Sequence, residues 1–326
     1  MRRHILALTA VLVVVGCSDR RTDDQANAST TTSVAPATTQ VVASTVVEPT
    51  VESTVPATTA TTSETNAFAD RPYNVFVPSG YNAATPAPLV ILLHGYGVSG
   101  DIQELYLRLQ PQAEARGFLY VHPDGTKNAL DQRAWNATDA CCEFTKSIDD
   151  SAYITSIIDQ VSATYNVDQA RVYLVGHSNG GFMSYRMACD HADRIAAIVS
   201  LAGATFLDAS QCTPSEPVSV LQIHGTADGT IHYDGGSNPL GDYPSASETV
   251  SDWATYNGCT STTKSLGAAD LGAILDGDET TKEGFTGCPV DGDVELWTMA
   301  DSSHIPQLTD NFAVDIIDWL YAHPKV

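Results

Sequence analysis

The sequence is short of positive charge. Lysine and arginine number 16 against 39 aspartates and glutamates, a formal net charge of −23 over 326 residues. Affinity for nucleic acid rests on basic patches that neutralise phosphates, so this composition argues against a nucleic-acid partner. Long apolar runs are also scarce. The one near the start, Ile5 to Val15, is too short and wrongly flanked for a stable membrane span. No C-x-x-C pair and no paired-histidine spacing occurs, which argues against a zinc site. Aromatic residues are missing from Ser18 to Asn66, where Thr, Ser, Ala, Val and Pro dominate. Such a segment cannot bury enough apolar surface to offset its ordering entropy, and it is expected to be an extended tether.

What precedes the tether has a definite form. Arg2 and Arg3 followed by the short apolar run read as a signal segment, residues 1–17. Its end, Val14-Val15-Gly16-Cys17, resembles a lipobox, in which Cys17 becomes lipid-modified and anchors the chain to a membrane surface without spanning it. A secreted, lipid-anchored protein held off the membrane by residues 18–66 is the expectation. Residues 67–326 are enough for one sizeable domain with a full core, expected to be monomeric. Six cysteines remain in it: Cys141, Cys142, Cys189, Cys212, Cys259 and Cys288. An even number in an exported domain favours disulfides. Cys189–Cys212 and Cys259–Cys288 would each close one local excursion between core elements, leaving Cys141 and Cys142 together.

The order of elements points to an α/β fold. Arg71 to Pro78 alternates like an early, partly exposed strand. Leu89 to Leu93 runs without a polar residue, as a strand buried on both faces does. A helix is predicted over 103–116 and a strand over 118–122. Ile154, Ile157, Ile158 and Val161 fall on one helical face. Further strands are predicted at 171–175, 197–201, 218–224 and 294–298, with a helix over 182–188 after the first of them. A last helix is expected to carry Phe312, Ile316, Trp319 and Leu320 inward. Alternating strands and helices imply a mostly parallel sheet covered on both sides, with active groups at the carboxyl ends of its strands.

At one such end stands Gly176-His177-Ser178-Asn179-Gly180, a G-x-S-x-G turn between a strand and a helix. A serine hydroxyl is a poor nucleophile unless a base takes its proton, and this turn is the one that presents such a serine. The base is expected later in the chain with a carboxylate between them. His304, in the loop between the last strand and the last helix, fits that order, with His232 as its rival. His191, His224 and His323 suit structural roles. Asp228, just past the strand ending at His224, is the candidate acid, ahead of Asp234 and Asp208. Donors to a developing oxyanion are expected from the backbone N–H of Asn179 and of Tyr96, in His94-Gly95-Tyr96-Gly97.

Together, RPYNVFVPSGY, LVILLHGYGVSG, AWNATDACC, RVYLVGHSNGGFMSYRMAC, LQIHGTADGTIHYDGG and SSHIP followed by DWLYAH resemble the polyhydroxybutyrate depolymerase and feruloyl esterase group of α/β-hydrolases. The resemblance implies an α/β-hydrolase fold, a Ser178–Asp228–His304 triad, and Trp135 near the substrate cleft. It implies cleavage of carboxylic esters, from small, polysaccharide-linked or polyester substrates, through an acyl-enzyme and with no cofactor or metal. Polymer depolymerases of this group often carry a polymer-binding module and none is read here, so ester cleavage is expected ahead of action on insoluble polyester. A serine peptidase of the same fold, an acyl transferase and a non-catalytic binding protein are the alternatives.

Overall fold

Residues 68–141, 148–238 and 241–326 are described by a computed structural model. The apolar run around Leu89 forms β2 (Ala87–Leu93), buried along its whole length, after a two-residue β1 (Val75–Phe76). Then follow α1 (Gly100–Leu107), α2 (Gln110–Arg116), β3 (Leu119–Val121), and the short β4 (Thr126–Lys127) and β5 (Arg133–Ala134). The middle of the chain gives α3 (Asp150–Thr164), β6 (Val167–His177), α4 (Asn179–Asp190), β7 (Ala197–Leu201) and β8 (Ser219–Gly225). After a small hairpin of β9 (Gly236–Asn238) and β10 (Gly241–Tyr243) come α5 (Ala246–Tyr256), β11 (Thr263–Ala269), β12 (Thr280–Phe285), β13 (Val294–Met299) and α6 (Asn311–Ala322).

Nine strands make one sheet in the order β1-β3-β2-β6-β7-β8-β13-β12-β11. The strands from β3 to β13 run parallel, while β1 pairs antiparallel at one edge and β12 pairs antiparallel with both β13 and β11 at the other. A parallel sheet is stable only with both faces covered, and the alternation of side chains along β2 shows how that is met. Leu89, Ile91 and Leu93 join a core with α3, α4 and α5, whereas Val90 and Leu92 join a second core with α2 and α6. Helix α3 buries Ile154, Ile157, Ile158 and Val161 as the spacing requires, and the Asp149 side chain caps it by accepting from the Ala152 N–H.

Five elements differ from the sequence expectation. The single helix over 103–116 is two helices, broken at Arg108, which takes a left-handed conformation with φ of 56°. Pro111 explains the break, because its ring would strike the carbonyl four residues earlier in a continuous helix. The early strand shrinks to the pairs Val75–Val121 and Phe76–Tyr120. Strands β11 and β12 and helix α5 have no counterpart in the sequence expectation. All but the last residue of β11 are exposed, so that strand carries no core pattern to read. Helix α5 announces itself locally, through a capping box of Ser245 and Glu248.

Cys189–Cys212 ties the end of α4 to the turn leading into β8, and Cys259–Cys288 ties the segment after α5 to the loop after β12. Both pairs match the expectation and fit an oxidising compartment. Cys17, the tether and Cys142, and with it the Cys141–Cys142 pairing, lie outside the described residues.

Candidate active site

Ser178 sits directly between β6 and α4 with φ of 54° and ψ of −122°, a backbone region that residues with a Cβ seldom occupy. The two glycines around it are dictated by close approach. A Cβ on Gly176 would lie 2.1 Å from the Gly180 carbonyl oxygen, and one on Gly180 would lie 2.0 Å from that of Leu93. The turn therefore closes only with glycine at both places, and its sharpness lifts the Ser178 side chain off the sheet. The serine makes no cap bond to its own helix, which leaves the hydroxyl to other partners.

That partner is His304, whose Nε2 is 2.9 Å from Ser178 Oγ. On the other side of the ring, Nδ1 is 2.7 Å from Asp228 Oδ2. A carboxylate can only accept, so the Nδ1 proton points to Asp228 and Nε2 is left to accept from the serine. Asp228 Oδ1 takes the N–H groups of Thr230 and Ile231 at 2.8 and 2.9 Å. Burial alone would raise this carboxyl. The hydrogen bonds from His224 and His304, with the nearby amides, outweigh it and hold Asp228 well below the usual carboxylate range. The three side chains selected from strand ends are thus brought into one relay. His232 is exposed and its backbone N–H donates to the Tyr243 hydroxyl. Asp208 caps a short turn at Ser210. His191 contacts Ser151 Oγ at 2.9 Å, and His323 reaches the Trp319 carbonyl and Asp293.

The loop after β2 closes on this relay, since a Cβ on Gly95 would lie 3.5 Å from that of Ser178. Gln103 Oε1 accepts from the Gly95 N–H at 3.0 Å. His94 Nε2 accepts from the Gly125 N–H at 2.8 Å, which puts the His94 proton on Nδ1, 2.7 Å from the Gly95 carbonyl. The Gly95–Tyr96 peptide is therefore pinned by its oxygen, and in a trans peptide this also fixes the direction of the Tyr96 N–H. Asn179 opens α4, where first-turn N–H groups lack partners in their own helix.

The resemblance puts Trp135 near the substrate cleft, and it packs beside the elbow without lining that cleft. It is fully buried and does not border the cleft at Ser178. Its indole N–H donates to the His94 carbonyl at 3.0 Å, and its backbone exchanges two hydrogen bonds with the Asn179 side chain, at 2.7 and 3.0 Å. The tryptophan braces the two backbone segments that flank the serine.

The cleft holds about 350 Å³ and is bordered by Tyr96, Val98, Ile102, Tyr106 and Ile305, with Ser178 and His304 at its floor. Among the described residues bordering it there is no Asp, Glu, Lys or Arg. The arrangement suits a neutral, largely apolar group beside the serine.

Sequence reasoning passed over His177, inside the serine motif itself. Its Nε2 donates to the His304 carbonyl at 3.0 Å, which steadies the loop carrying the base. Burial lowers both His177 and His94 from 6.5 to about 4, and the neighbouring His304 adds to the effect on His177. Between those values the unfolded chain takes up protons that the native protein refuses, so stability is lost as pH falls from 6.5 towards 4. The melting temperature is expected to drop across that interval, and to drop less steeply in His177→Asn. An equal slope in the variant would contradict the burial argument.

A mostly parallel sheet with a serine at a strand–helix elbow, a histidine–carboxylate partner and an opposing backbone loop defines an α/β-hydrolase. The family described as phospholipase/carboxylesterase matches residues 80–252, just over half of the chain, and the protein belongs to that family. A bifunctional acetylxylan esterase/xylanase of Neocallimastix patriciarum is 29% identical over 213 residues, covering 64% of this chain and 30% of that protein. A probable feruloyl esterase C of Aspergillus flavus is 34% identical over 174 residues, 51% of this chain and 58% of that one. The chain thus spans less than two thirds of either relative. An acetyl xylan esterase from Aspergillus awamori shares the fold, with a TM-score of 0.54 at 14% identity over 76% of this chain and 93% of that chain.

Proposed function

We propose that the protein is a serine esterase that hydrolyses carboxylic esters through an acyl-enzyme, with its catalytic domain in residues 67–326. The observation that carries this reading is the continuous relay from Ser178 Oγ to His304 at 2.9 Å and on to Asp228 at 2.7 Å. In the proposed cycle His304 takes the serine proton as Ser178 attacks the ester carbonyl, then delivers it to the departing alcohol. Asp228 holds the tautomer and stabilises the imidazolium. The N–H groups of Tyr96 and Asn179 receive the oxyanion. Water then repeats the attack on the acyl-serine with His304 as base. No step requires a metal or an organic cofactor.

The uncharged cleft supports a neutral acyl group of apolar character. Feruloyl, acetyl and hydroxyalkanoate esters, free or attached to a polymer, meet that description, and the relatives favour feruloyl and acetyl esters among them. Chromogenic esters of increasing acyl length, methyl ferulate, acetylated xylan and a hydroxybutyrate oligomer, run beside aminoacyl anilides, test this directly. Release from esters without cleavage of anilides is expected; the reverse would sink the esterase reading. The protein is further proposed to be secreted and anchored through a lipid on Cys17. Partition of the full chain into a detergent phase, lost in Cys17→Ala, is the expected behaviour, and equal partition of the two would remove the anchor.

A further inference from the structure

The acid of the relay does not stand alone in the core. Behind it, on β8, His224 is almost fully buried, and so are Gln222 and Tyr185. The hydrogen-bond directions among them can be worked out without ambiguity. Gln222 Nε2 is 2.7 Å from the Gly203 carbonyl, which can only accept, so that atom is the amide nitrogen. The same nitrogen is 3.1 Å from His224 Nδ1, which must therefore accept. The His224 proton is then on Nε2. It points at the Ile231 carbonyl at 2.8 Å, with Asp228 Oδ2 at 3.3 Å as a second, longer partner. Gln222 Oε1 accepts from the Tyr185 hydroxyl at 2.8 Å, which fixes the amide from its other end.

We propose that His224 is a positioning residue for the relay: locked in one tautomer by Tyr185 and Gln222, it sets the Asp228 carboxylate and the 228–231 turn against His304. The inference rests on the esterase reading above. Both ends of the Asp228–Ile231 turn are held by one N–H, at Asp228 Oδ2 and at the Ile231 carbonyl. With the Thr230 and Ile231 amides on Oδ1 and two imidazoles on Oδ2, every face of this fully buried carboxylate is occupied. It has no rotamer freedom in which to lose His304. A histidine in the other tautomer would turn a lone pair towards both acceptors and push the turn away. The titratable groups facing Asp228 and His304 are His224 on β8 and His177 on β6. Tyr233 stands edge-on to His224 with ring centres 5.7 Å apart.

The test uses kcat, KM, the pH profile and the melting temperature of full-length variants on a chromogenic ester. His224→Leu removes the donor. Its kcat is expected to fall roughly 10- to 100-fold with KM nearly unchanged, the scale typical when the outer partner of an oriented ligand is lost. The acid limb of kcat/KM is expected to move to higher pH, because a carboxylate with fewer donors stabilises the imidazolium more strongly. His224→Gln, whose side-chain N–H reaches about the same place, is expected to recover most of kcat and to restore the limb. Should His224→Leu not fold, Gln222→Leu keeps the imidazole but frees its tautomer, and the same shift of the limb is expected. An unmoved acid limb and unchanged kcat in the folded variants would overturn the proposal, as would equal impairment of His224→Leu and His224→Gln. Ser178→Ala in the same assay separates the two levels. If it turns over ester, the esterase reading fails; if it is inactive while His224→Leu is fully active, only the positioning role fails.

Discussion

Ser178→Ala is expected to abolish ester turnover, by about 10⁴-fold or more, while leaving the melting temperature close to that of the parent. The loss is large because the groups of a nucleophile relay act as a unit, and without Oγ there is nothing for His304 to activate. The fold has no comparable stake in the hydroxyl. It makes no cap bond to α4, and the backbone conformation at 178 is set by the approach of Gly176 and Gly180 to their neighbours. Alanine bears the same strained φ and ψ that serine does. Single-turnover and steady-state assays with the same ester decide the matter. Turnover within about tenfold of the parent in a well-folded variant would remove Ser178 from the mechanism.

His304→Ala is the second expected null, with a loss of similar size. Its control is His232→Ala. Both histidines follow Ser178 in the chain, and both lie in loops past a sheet strand, yet only one meets the serine. His232 is exposed, 76 residues is the separation between Asp228 and its actual partner His304, and the carboxylate spends Oδ2 on that partner. His232→Ala is therefore expected to keep kcat within a few-fold of the parent. A dead His232→Ala beside an active His304→Ala would require a different relay.

The parts of this site that sequence could reach were those set by chain order and strand ends. An apolar run such as Leu89–Leu93 or Val172–Val175 marks where a buried parallel strand stops, and the side chains just past such stops gather at one edge of the sheet. That logic selected Ser178, Asp228 and His304, which the fold brings within hydrogen-bond distance. It could not place Trp135. A tryptophan beside a glycine-rich loop suits a cleft wall and a buried brace equally, and only its partners, the His94 carbonyl and the Asn179 amide, tell them apart. Nor could it separate His224 from an ordinary turn residue, since its meaning depends on Gln222 two positions away and Tyr185 on another element. The helix break is legible in Pro111, which stands in the first turn of α2 and cannot continue a helix from α1. Strand β11 carries no hydrophobic pattern at all, its place being fixed by backbone pairing with β12.

The distance in sequence between the reacting groups has a consequence for how the protein comes of age after synthesis. Ser178 and His304 are 126 residues apart, and the base arrives only when β13 docks alongside β8, pairing Thr298 with His224 and Met299 with Gly225. Contacts of such long separation are among the slowest for a chain to form. A collapsed chain that has already built β2, β6 and the elbow still lacks the histidine that meets Ser178. Regained turnover is accordingly a clock for the last strand pairing, and it lags any signal that reports helices alone.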